Sequence, residues 1–179
     1  YTNLKGSNFT NSNMDKSRLD NSDFSNSNLE NVTINEASLS NTKFENSNLK
    51  NIEIINSTAA GSNFSTTNLQ NSSFNFSYLP GSQFENSQIK NTSFHQAIAL
   101  DGAFFTNSNL TNTNFTGADL DGAVLTNSDL TYSDFSGADL DGVNFENSNL
   151  SYTRFSGKDS VHPEITDING GNFKNSIII

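Results

Sequence analysis

Six aspartates, Asp101, Asp119, Asp121, Asp139, Asp141 and Asp159, recur at two fixed places in a 20-residue block that residues 100–159 write three times. Carboxylates at a fixed spacing admit two chemistries. One is a row of negative charge that imitates nucleic-acid phosphates and docks on a basic protein groove. The other is weak Ca²⁺ coordination by adjacent carboxylates. A third explanation needs no ligand, because duplicating a block copies its solvated face as well. Equivalent earlier places hold Arg18, Ser38, Ser40 and Thr58, so the acidic stripe is confined to the C-terminal half.

Catalytic chemistry finds little support. The two histidines are His95 and His162, cysteine is absent, and serine is abundant without a nucleophile-elbow context. No Gly-rich phosphate loop or metal-ligand spacing occurs. The expectation is a non-enzymatic chain without cofactor or metal. Partner contact has other candidates, since Phe76, Tyr78, Ile98, Phe104 and Val124 fall on outward places around residues 95–100. Exposed aromatics on a polar surface suit a protein contact, and local packing over a kink would also account for them. Tyr132 and Tyr152 lie one block apart beside Arg154, where surface self-stacking and binding explain them equally well.

Composition narrows the partners. The chain has 179 residues and a formal charge of −10, of which 32% are hydrophobic, including 15 Phe. Residues 1–95 carry six Lys/Arg against eight Asp/Glu, and residues 96–179 carry three against eleven. Such a surface repels nucleic acid, whose binding requires neutralised phosphates, and attracts a basic protein. No apolar run approaches membrane-spanning length, so no membrane partner is expected.

What positions these residues is a period of five. Large apolar centres stand at Leu4, Phe9, Met14, Leu19 and every fifth residue to Phe94 except Ala59, then from Leu100 to Phe155 after one extra residue within His95–Leu100. The residue two before a centre is usually small, and Asn or Gly dominates two after it. Because Gly and Asn accept positive φ, a turn is expected every five residues. Pro80–Gly81 is the strongest single signal for one. Neither a helix nor a flat strand has this period. Four corners close a square of 20, and stacked squares make a solenoid with coils roughly 4.8 Å apart. Phe and Leu columns then alternate around the square: Phe24, Phe44, Phe64 and Phe84 in one, Leu29, Leu49 and Leu69 in the next.

The motif "ADLDG" at 118–122 and 138–142, with "SNLTN" at 108–112 and "SNFTN" at 7–11, resembles the pentapeptide-repeat family. The resemblance covers residues 1–157. It implies an all-β, right-handed quadrilateral β-helix of about eight 20-residue coils. Some members imitate DNA and act on DNA gyrase, conferring quinolone resistance, and others are segments of secreted bacterial effectors. The expected function is a protein-interaction scaffold within a larger bacterial protein, in the cytoplasm or delivered to a host cell. The alternative is a DNA-mimicking gyrase regulator. Residues 158–179 read as an irregular loop and a last partial coil, possible lead-in to a further region. Ends without polar caps suit either a piece of a longer protein or end-to-end self-association.

Overall fold

The computed structural model describes residues 1–155, 171–175 and 177. Every fifth residue is a corner with φ between +50° and +67°, occupied mainly by Asn and Gly. At Gly81 the turn closes with the Ser82 amide donating to the Leu79 carbonyl at 3.2 Å. A corner this frequent leaves room for one bridging residue per side and not for an extended strand. The residue just before each centre pairs in parallel with its counterpart one coil on.

These bridges define four sides. The first side runs Asn3, Asp23, Lys43, Asn63, Gln83, Phe104, Val124, Asn144, Asn172. The second runs from Asn8 through Asn109 to Asn149 and Ile177, and the third from Asn13 to Arg154. The fourth holds Arg18, Ser38, Thr58, Tyr78 and Ile98, then Asp119 and Asp139. Among the described residues there is no helix, and none long and apolar enough to cross a membrane.

The extra residue is Ala99. Ile98 still bridges Tyr78, Ala99 turns through a φ of +52°, and Leu100 re-enters the interior fully buried. Backbone bonds flank the bulge on both sides, with the Asp119 amide donating to Ala97 O at 3.1 Å and the Leu100 amide to Asp119 O at 2.7 Å. The bulge therefore ejects one residue without shifting the columns.

Inside, the two Phe columns lie on opposite sides and meet. Phe64, Phe84 and Phe105 stack at 4.9 and 4.8 Å, Phe74, Phe94 and Phe115 at 5.0 and 5.1 Å. The columns then touch edge to face, as at Phe84–Phe94 (5.5 Å, 89°), which is the arrangement ring quadrupoles favour.

The small inward positions do more than fill space. Ser128 accepts from the Ser108 amide at 3.2 Å and donates to Phe105 O at 2.8 Å, and Ser87, Ser108 and Ser148 continue the pattern. Each of these serine hydroxyls thus joins its coil to the preceding one. Ser128→Ala should cost about 1–3 kcal/mol, because it withdraws partners from two buried backbone groups. Chemical denaturation measures this, and a loss no greater than at an exposed serine would refute the assignment.

Candidate functional site

The coil places carboxylates in two parallel rows on the fourth side. Asp119 and Asp139 bridge each other just before the centres Leu120 and Leu140, and Asp101, Asp121 and Asp141 follow the centres. Asp119 and Asp139 also accept the amides of Asp121 (3.4 Å) and Asp141 (3.1 Å), which fixes their side chains against the turn. All but the partly covered Asp119 are exposed.

Asp121 sits in the middle. Desolvation, then the carboxylates of Asp141, Asp101, Asp139 and Asp119, raise its pKa above the usual carboxylate value. A raised folded-state pKa means that the ionised form weakens the fold, and the penalty is relieved as pH falls through that value. Asp121→Asn should therefore raise the melting temperature slightly at neutral pH, with an increment that shrinks in high salt and in acid. Thermal scans across pH check this; an increment that persists in acid would place its cause elsewhere.

Asp23 is the opposite case, almost wholly buried on the first side. Burial opposes its ionisation, but the Ser25 hydroxyl and amide, and then Lys5 at 3.1 Å, outweigh it and hold the carboxyl below its usual range. Among the described residues, no three His, Cys, Asp or Glu side chains converge to hold a metal ion. Asp159 and His162 lie outside the described residues. His95 bonds Thr116 Oγ1 through Nδ1 at 2.6 Å and meets the Phe76 ring edge at 5.6 Å.

The exposed apolar residues do not form one cluster. Tyr78 and Ile98 are neighbours on the fourth side, directly before the aspartates, and Phe76 occupies the corner leading into that side. Phe104 pairs on the first side with Val124, which is half-buried rather than exposed, across the corner of Gly81, Gly102 and Gly122. Tyr132 and Tyr152 are elsewhere, on the corner that follows the second side, stacked at 4.9 Å. Arg154 turns to Asp134 at 3.5 Å.

Below Tyr132, that corner carries a feature absent from the expectations. Asn31, Asn51, Asn71, Asn91 and Asn112 each donate through Nδ2 to Oδ1 of the Asn one coil before, beginning at Asn11, over 2.8–3.3 Å. Recurrence of Asn at 20- and, across the bulge, 21-residue spacing is the signal that could have found it.

A pentapeptide-repeat model matches residues 1–26, 16–51 and 34–71, and a pentapeptide-repeat-region model matches 79–155. A search of curated proteins returns no match. Among solved structures, the pentapeptide-repeat protein Rfr23 of the cyanobacterium Cyanothece is 19% identical, with a TM-score of 0.60 over 68% of this chain and 91% of that one. HetL, involved in heterocyst differentiation regulation in the cyanobacterium Nostoc, is 16% identical, with a TM-score of 0.36 over 97% and 88%. A trypsin-treated form of QnrB1, a plasmid-mediated fluoroquinolone resistance protein, is 17% identical, with a TM-score of 0.42 over 99% and 89%. The likeness to solved pentapeptide-repeat proteins implies a right-handed β-helix. With the family pattern spanning most of its length, this chain belongs to the pentapeptide-repeat proteins.

Proposed function

We propose that this chain is a non-enzymatic scaffold segment of a larger bacterial protein, quadrilateral in section, which binds a basic protein surface through its fourth side. The carrying observation is the pair of carboxylate rows adjoining exposed Tyr78 and Ile98. Charge provides long-range attraction and the apolar residues contribute contact area, a combination that favours protein over nucleic acid. The scaffold works in the bacterial cytoplasm or, within an effector, in the host cell.

The test uses lysozyme and cytochrome c as basic probes. One variant changes Asp119, Asp121, Asp139 and Asp141 to Asn, and a control changes Glu30, Glu45, Glu53 and Glu85 to Gln. Each removes four charges from the same total of −10. Salt-sensitive binding lost only by the aspartate variant supports the reading; equal loss in both reduces it to net charge.

The second reading is a DNA-mimicking regulator of gyrase, favoured by the regular stacking of Asp101, Asp121 and Asp141. The near-neutral charge of residues 1–95 weighs against it. Supercoiling inhibition at micromolar protein, lost in the Asn variant, would select it over the scaffold.

A further inference from the structure

We infer that the occupant of this surface is a basic amphipathic α-helix of a partner protein, lying along the rod over the corner between the fourth and first sides. The inference rests on the scaffold reading and specifies its partner. This corner carries Gly61, Gly81, Gly102, Gly122 and Gly142 in succession, all at φ between +60° and +65°. That backbone conformation does not by itself require glycine, because the corner after the second side holds the same φ with asparagine from Asn11 to Asn112. Crowding accounts only for Gly61, where a Cβ would meet Asn41 Oδ1 at 2.9 Å; on Gly81, Gly102 or Gly122 it would meet nothing within 4 Å. The glycines leave a shoulder without side chains where backbone is open to approach.

Both flanks of the shoulder are dressed for contact. On the first side stand Phe104, 40% exposed, and the half-buried Val124; on the fourth stand the exposed Asp101, Asp121 and Asp141. A helix seated on the shoulder would lay an apolar stripe against Phe104 and Val124, with a basic stripe facing the aspartates.

Spacing selects a helix over a strand. In these coils the repeat is given by Phe115–Phe135, 4.8 Å apart, and a helix turn rises about 5.4 Å. Lysine or arginine at i, i+4 and i+7 therefore meets three carboxylates in successive coils with a drift of about 1 Å, within side-chain reach. Same-face residues of an extended strand are about 6.6–6.8 Å apart and lose register by the third coil.

The experiment measures anisotropy of a labelled 18-residue synthetic helix with Lys on one stripe and Leu on the adjoining one. A proline-interrupted isomer of identical charge serves as comparison. The helix should bind more tightly than the isomer by about tenfold or more. Gly102→Asn with Gly122→Asn, which keeps the corner φ accessible, should abolish that preference while melting shows the fold intact. Tyr152→Asn, on a different corner, should leave it unchanged. Equal affinity for both peptides, or indifference to the Asn pair, overturns the helix. If neither peptide binds while lysozyme still depends on the four aspartates, the helix is wrong and the scaffold stands. If lysozyme ignores those aspartates, the scaffold reading fails on its own account.

Discussion

Phe94→Ala should lower the unfolding free energy by about 3–5 kcal/mol, a large share of the 5–15 kcal/mol typical of a domain. Phe94 is fully buried and touches four rings, stacked on Phe74 and Phe115 and edge-on to Phe84 and Phe105. Removing it opens a cavity in its own column that also strips contacts from the facing one, and a ladder pinned by backbone bonds above and below cannot collapse to fill it. Phe9 provides the contrast. It lies in the first coil, only partly buried, and among the described residues its single ring contact is with Phe24 at 5.5 Å. Phe9→Ala should cost well under half as much. Urea midpoints of the two variants decide the matter. Equal losses would mean that the rod unfolds without regard to where its columns are broken, against the nearest-neighbour behaviour expected of a solenoid.

Much of this architecture was legible because a period of five leaves the chain few options. The centres, the Phe and Leu columns and the positive-φ corners all follow from spacing, and the column Phe64, Phe84, Phe105 survives the extra residue as expected. Three things were harder to read. The extra residue could be assigned only to a window, since Ile98, Ala99 and Leu100 are all apolar and only bridge pairing, burial and φ distinguish Ala99. The inward serines read as small, yet their hydroxyls form a coil-to-coil chain that polarity on an inward face should have announced. Tyr132 and Tyr152 were named as contact candidates without being assigned to a side of the square. Counting by twenties places Tyr132 and Tyr152 on a different corner from Asp121 and Asp141, so these residues cannot share one flat contact. Phe76, Tyr132 and Tyr152 occupy corners at φ of +59° to +64°, where aromatic residues are uncommon. Stacking of the two tyrosines compensates part of that strain.

The same corners support the second large effect. Asn71→Val should destabilise the fold by about 2–3 kcal/mol, whereas Asn71→Gly should cost less than about 1 kcal/mol. At φ of +59°, a β-branched side chain presses against its own carbonyl, a strain that asparagine largely escapes and glycine does not feel. Valine also breaks the amide ladder twice, since Asn71 donates to Asn51 at 3.3 Å and accepts from Asn91 at 3.1 Å. Glycine breaks the ladder equally but removes the strain, so the difference between the two variants isolates the backbone contribution. Thr66 shows that branching is tolerated when compensated: it holds φ of +59° while its hydroxyl donates to Asn46 Oδ1 at 2.7 Å. Asn71→Thr should accordingly fall between glycine and valine. The order Gly, Thr, Val in denaturation midpoints is the expected result. A valine variant as stable as the glycine variant would show that the corners yield, and that the ladder rather than backbone conformation makes asparagine the usual corner residue.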